Sequence, residues 1–310
     1  MRKNQKNKKV VKKVVRSTRS AANQITFFEF IKLLLRGFSQ VMLQENIWTG
    51  LLFLIGIFWN SWVMALGAII GVLAGNLTAF VLKYKFDDIK KGFYGFNAVL
   101  VGIAVLFFFK FTLAAVIFII LGSALSSIIM NFMHKNHWNP LTFPFVLTAW
   151  ILIFVIKLFN LVPAQPSGIL NSVSLNFASA TAMSFGQVMF QASIVTGIIF
   201  FIAIFINSRI VAAYALGGAI IGALVAFMLS FPPTLISMGI FGFNGVLCGI
   251  AFADLKWSSK KWQSIIWALI AVVLSVFIIF GMNAYGLVAL TFPFVLATWI
   301  TLLIKKYISH

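Results

Sequence analysis

The sequence predicts an all-α membrane protein of two homologous halves in inverted topology, with about ten transmembrane helices plus tilted or re-entrant segments. Composition, an internal duplication and the placement of charge carry that prediction. Hydrophobic residues make up 62% of the 310 and charged residues only 9%, with a mean hydropathy of +1.05. Runs such as Thr112–Ile129 are almost continuously apolar, which favours helices over the alternating strands of a β-barrel.

The duplication is read from three blocks in one order. Gly37–Phe53 aligns with Ser184–Phe200 at an offset of 147, with 9 of 17 positions identical. GFYGFNAVLVGIAV at Gly92 and GIFGFNGVLCGIAF at Gly239 share that offset, with 9 of 14 identical. Leu141–Ile151 and Leu290–Ile300 match at 9 of 11, offset 149, each containing LTFPFVL. Two long copies, rather than a short solenoid repeat, predict paired bundles about a pseudo-two-fold axis. The expected units are a first membrane repeat over residues 25–165 and a second over 172–306.

Taken in chain order, residues 1–24 read as a basic, disordered cytoplasmic tail, because nine of the 24 basic residues fall in the first 20 positions without an acid. It serves as a topology signal and can attract anionic lipid. No signal peptide is expected, because Phe27–Leu35 carries Glu29 and Lys32 and no small-residue cleavage site follows. Phe27–Leu43 and its counterpart before Phe190 are extra helices, tilted or partly inserted. Ile47–Leu82 is long enough for two crossings and leads to the charged loop Lys83–Lys91. Further crossings over Gly95–Phe109 and Phe111–Met130 end at a loop holding His134, Lys135 and His137, and a fifth over Leu141–Phe159 exits. The connection Asn160–Ala182 contains no Lys or Arg, as an external segment should.

Five crossings per half make the second copy enter from the opposite side. Its counterpart of the charged loop, Ser230–Met238, has no charge, whereas Lys256, Lys260, Lys261, Lys305 and Lys306 fall where the inverted copy should face the cytoplasm. Lys110 and Lys157 are exceptions. Both termini are placed inside the cell.

The five acids, Glu29, Glu45, Asp87, Asp88 and Asp254, fall near predicted membrane boundaries, so no buried carboxylate or histidine relay is expected. Ion-coupled pumps mark themselves with ionisable groups inside the bundle, so a passive route for an uncharged solute fits better. No P-loop, nucleophile elbow, HExxH helix or metal-ligand cluster is present. No catalytic residue, cofactor or metal is therefore expected, and the +19 net charge reflects tail and loops, not a nucleic-acid partner. Cys248, the single cysteine, reads as packing, as do Met42 and Met189.

Neutral polar and aromatic residues recur at membrane depth in both copies: Gln40 and Gln187, Phe96 and Phe243, Asn97 and Asn244, Thr142 and Thr291. Buried amides and hydroxyls need partners, which a solute can supply. Pro144 and Pro293 lack an N–H, so helices start or break there, and carbonyls before such a start point into a cavity. A row of oxygens suits a solute rich in N–H donors, and Phe96 and Phe243 are two flat walls for a planar molecule. Asn97 and Asn244 read as partners for the broken backbone, and the glycines beside them as close helix contacts. The bland alternatives are interhelical hydrogen bonding for the glutamines, capping for the threonines and a solvated loop for His134 and His137.

GFYGFNAVLVG and GIFGFNGVLCG, followed by LTFPF, resemble the urea transporter family over about residues 30 to 305. The family signature is written LPxxTxPF, once per half. Here Trp138 and Asn139 replace Leu-Pro in the first copy, and Val288 replaces Pro after Leu287 in the second. The resemblance implies a homotrimer with one pore per protomer, lined by an oxygen ladder and phenylalanine slots. It places Phe96, Leu100, Phe243 and Leu247 as slot walls and Thr142 and Thr291 at the mid-pore constriction. Gln40 and Gln187 accept N–H bonds at the two mouths. Phe190 keeps an aromatic where its partner position holds Leu43, and some bacterial members have an acid where Gln187 stands.

The expected function is passive, channel-like passage of urea down its gradient in a multi-pass protein of the cell membrane, the bacterial inner membrane, with urea, membrane lipids and its own copies as partners. Urea is planar and neutral with four N–H donors, which matches the residue pattern. The alternatives are a channel for other small neutral solutes (short amides, ammonia, water) and a non-transporting receptor or scaffold.

Overall fold

Helix start signals in the sequence carry directly into the fold. A computed structural model describes residues 26–166, 174–253 and 261–308. The basic tail, Asp254, Lys256 and Lys260 lie outside the described residues, as does part of the Asn160–Ala182 connection. The first half holds α1 (Phe27–Gln40), α2 (Ile47–Asn60), α3 (Trp62–Val81), α4 (Phe86–Lys90), α5 (Phe96–Phe108), α6 (Leu113–Lys135) and α7 (Phe143–Leu158). The second holds α8 (Phe177–Gln187), α9 (Ile194–Asn207), α10 (Arg209–Met228), α11 (Pro233–Ser237), α12 (Phe243–Ala253), α13 (Lys261–Ala284) and α14 (Phe292–Ile308).

Each helix of the first half has a counterpart seven elements later. The starts of α2, α3, α4 and α5 precede those of α9, α10, α11 and α12 by 147 residues, and α7 precedes α14 by 149. Caps repeat too. Asn46 and Ser193 accept the first free N–H groups of α2 and α9, and Ser61 and Ser208 those of α3 and α10. Even the backbone outliers pair: Leu43 with Phe190, Lys83 with Ser230 and Leu141 with Leu290 have positive φ, as do Gly92 and Gly239.

Among the described residues, α3, α6, α10 and α13 are long and apolar enough to cross a membrane, whereas α2, α5, α7, α9 and α12 are apolar but shorter. The short ones form the centre. Thr49 Oγ1 donates to the Ala203 carbonyl (3.0 Å) and Thr196 Oγ1 to that of Gly56 (2.9 Å). The start of α2 thus lies beside the end of α9, and the reverse. Equivalent helices packed antiparallel require a two-fold axis perpendicular to them, and the fully buried Phe53 and Phe200 meet close to it with ring centroids 4.8 Å apart. Around this centre α3 packs on α5 and α6, and α10 on α12 and α13.

Two expectations need correction. His134 and Lys135 are not in a loop: α6 runs on past Met130 and both occupy its last turn, where cations complement the negative helix end. Nor is every acid at an open boundary. Asp88 is buried, because the charged loop folds into α4 and turns that carboxylate towards His134, with Nε2 3.4 Å from Oδ2.

Candidate functional site

Where the two halves meet, Thr142 and Thr291 stand immediately before α7 and α14. No side-chain cap bond forms at Thr142, and the two hydroxyls hydrogen-bond each other at 2.7 Å. Both are buried. Pro144 sits in the first turn of α7, where its missing N–H costs nothing.

The backbone before each threonine is strained, with φ of 48° at both Leu141 and Leu290, a left-handed conformation that is costly for a leucine. One asparagine holds each turn in place. Asn97 Oδ1 accepts from the Phe145 N–H (3.1 Å) and its amide donates to the Leu141 carbonyl (3.5 Å). Asn244 does the same for Phe294 and Leu290, at 3.0 and 3.3 Å. Those carbonyls are therefore partly engaged rather than bare, each keeping one lone pair.

Tryptophans then tie the halves across the axis. Trp150 on α7 donates to the Val288 carbonyl (2.8 Å) and Trp299 on α14 to that of Asn139 (2.9 Å). Phe143 packs on Trp299 and Phe292 on Trp150. The N-terminal turns of α7 and α14 overlap side by side in opposite directions, with the threonine pair between them.

Gln40 and Gln187 end α1 and α8. Gln40 Nε2 donates to the Lys91 carbonyl (3.1 Å) and Gln187 Nε2 to the Met238 carbonyl (3.0 Å). Each amide is held through its NH2 group by a turn of its own half, and its side-chain oxygen remains a hydrogen-bond acceptor. The turn needs glycine: Gly92 and Gly239 have φ of 81° and 76°. A Cβ on either would also meet backbone of α1 or α8.

The turns that follow these glutamines lie at opposite ends of the α2–α9 pair. Gln44 and Gln191, four residues beyond, accept from Asn207 at the end of α9 (2.6 Å) and Asn60 at the end of α2 (2.9 Å). Since α2 and α9 are antiparallel, the two turns lie about 20 Å apart, one helix length. α5 bridges them. It begins at Phe96 beside the Gln40 turn and ends at Phe107 and Phe108, which pack on Phe190 at 4.9 and 6.3 Å.

Phe96 and Phe243 therefore start helices at opposite ends and do not face each other as two walls of one slot. Each sits one position before its turn-holding asparagine and one helical turn before Leu100 or Leu247. Both leucines and Phe96 are buried, and Phe243 is half-buried. Phe190 is half-buried among Phe107, Phe108 and Phe145; its counterpart Leu43 has no ring to offer.

The cross-half amides Asn60, Gln44, Asn207 and Gln191, the hydroxyls Thr49 and Thr196, and the two tryptophans were not among the expected site residues. A signal existed: Gln44 and Gln191, Thr49 and Thr196, and Trp150 and Trp299 are identities within the aligned blocks. Near the first turn, burial, then the Asp88 carboxylate and Tyr84, push the Tyr94 phenol up to about 12. It stays protonated and donates to Asn131 Oδ1 (3.2 Å).

The family model described as "Urea transporter" matches residues 31–306. Among curated relatives, urea transporter 1 of Ovis aries is 27% identical over 305 aligned residues, covering 89% of this chain and 77% of that protein. Urea transporter 1 of Mus musculus is 28% identical with the same coverage. The family match spans the threonine pair, both glutamine turns and every helix that ties the halves together, and the chain belongs to the urea transporter family.

Proposed function

We propose that the protein is a passive urea channel whose path runs between the two halves, from the Gln40 turn past the threonine pair to the Gln187 turn. The observation that carries this reading is the Thr142–Thr291 hydrogen bond between the halves, with one anchored glutamine amide in each half. Urea offers four N–H donors, and along this path it meets a glutamine oxygen, a hydroxyl pair and a second glutamine oxygen. Phe96 with Leu100 and Phe243 with Leu247 supply apolar flanks that admit a flat, uncharged molecule and disfavour ions. Phe190 lies near the second mouth.

Antiparallel packing of α2 on α9 supports inverted topology, with ten helices, α2, α3, α5, α6, α7 and their counterparts, crossing the bilayer. Repeats over 25–165 and 172–306, cytoplasmic termini, a bacterial inner-membrane location and a homotrimer with one pore per protomer complete the proposal. Asp88 is a buried carboxylate, but it lies on α4, outside the helices assigned to cross, so it provides no charge at the centre of the path for ion coupling.

The test is urea flux into proteoliposomes. Phe96→Ala/Phe243→Ala should lose flux, and Thr142→Trp should block it while the protein still purifies folded. Acetamide and formamide share urea's carbonyl and N–H groups, so competition by them measures how far the path extends to short amides. Flux unchanged in Thr142→Trp would move the path elsewhere.

A further inference from the structure

The two mouths are braced by different chemistry. Around Gln187, the supporting turn begins with Pro232 and Pro233, which fix φ in advance. The Ser237 ties run to the segment around α8. Ser237 Oγ accepts from the Asn176 N–H (2.9 Å) and donates to the Ser174 carbonyl (3.3 Å), and Ser179 Oγ donates to the Ser237 carbonyl (3.1 Å). Around Gln40, the equivalent turn has no proline. Asp88 stands where the second copy has Leu235, and His134 where it has Asn283. The Asp88 carboxylate is buried, with His134 Nε2 3.4 Å away at the end of α6 and half-exposed.

The other charged groups packed around this pair are engaged elsewhere. On α1, Arg36 donates to the Lys90 carbonyl (3.1 Å), and Lys32 pairs with Glu29 at 2.8 Å. The Lys90 ammonium lies over the Phe86 ring, 4.7 Å from its centroid, and that of Lys135 over Tyr84 at 5.9 Å. Tyr94 donates to Asn131. Lys83, Lys85 and Lys91 flank α4 in sequence and Asp87 lies on it, and among the described residues none of them bridges to Asp88. Among the described residues, His134 is the basic side chain within ion-pair distance of that carboxylate.

We propose that Asp88 and His134 are positioning residues for Gln40: their ion pair fixes the α4 turn whose Lys91 carbonyl orients the glutamine amide. The first mouth's hold on its solute then depends on proton concentration, and that of the second does not. This rests on the channel reading above. A histidine–carboxylate pair is charge-assisted only while the imidazole carries its second proton. The brace is therefore stronger with the imidazole protonated and weaker once that proton is lost.

The experiment is concentration-dependent urea flux in proteoliposomes buffered identically inside and out, from about pH 5.5 to about pH 8, the span over which imidazoles titrate. In the wild type the half-saturation concentration should rise with pH by about two- to fivefold, the range open to a half-exposed ion pair, with maximal rate little changed. His134→Gln, at an exposed helix end, should make half-saturation independent of pH. Asp88→Leu, the residue of the other copy, should do the same at the weak-binding level. A flat wild-type profile, or one that survives in His134→Gln, overturns the positioning role while leaving the channel intact. Absence of wild-type urea flux overturns both.

Discussion

At the first mouth, Gln40 is held by the Lys91 carbonyl in a turn braced by Asp88 and His134. At the second, Gln187 is held the same way by Met238, in a turn braced by Pro232, Pro233 and Ser237 without any charge. Between them, the asparagine-held turns, the tryptophan ties and the threonine pair repeat almost atom for atom. The difference follows from what each group touches. Thr142, Thr291, Trp150 and Trp299 bond across the axis, so a change in one copy also unsettles the partner copy. The braces built on Asp88 with His134 and on Ser237 stay within their own half, and each half can find another solution.

The largest expected effects test the centre. Asn97→Ala and Asn244→Ala each orphan a buried N–H and a buried carbonyl at a strained leucine, a loss of about 2–5 kcal/mol. The two variants should lower the unfolding midpoint in detergent by similar amounts; a large gap between them would break the symmetry of the centre. Thr142→Val and Thr291→Val each remove one hydroxyl of the pair, and losing one hydrogen bond to a passing solute is worth about 1 kcal/mol. Urea flux should fall several-fold in both, and equal falls place the pair on the axis in function as in geometry.

Smaller effects should appear where the halves are tied at their rims. Asn60→Ala and Asn207→Ala each cut one cross-half amide bond, expected to cost about 1 kcal/mol of thermal stability. The smallest and most asymmetric effect belongs to Phe190. Phe190→Leu forfeits aromatic contacts worth about 0.5–1.5 kcal/mol, whereas Leu43→Phe at the other mouth removes no existing ring contact. Urea half-saturation should shift in the first variant more than in the second.

The duplicated blocks located most of this architecture because identity at a fixed offset reports symmetry directly. Gln40, Asn97 and Thr142 were found through their partners at 187, 244 and 291, and the broken helices through Pro144 and Pro293. The threonine–threonine bond was not apparent, because spacing within one copy does not say which residues lie on the axis between copies. The same limit hid the opposed placement of Phe96 and Phe243. Asp88 was misjudged for another reason. A charge near a boundary reads as solvated, and only the fold of α4 against the end of α6 turns it inward.

The central claim is a passive path for an uncharged solute between the halves. Stopped-flow urea uptake into proteoliposomes, with and without an imposed proton gradient, tests it most directly. The account predicts rapid uptake that ends at equal urea concentrations inside and out in both conditions, and its loss in Thr142→Trp. Accumulation of urea above the outside concentration driven by the proton gradient, or a rate no greater than that of protein-free vesicles, would contradict it.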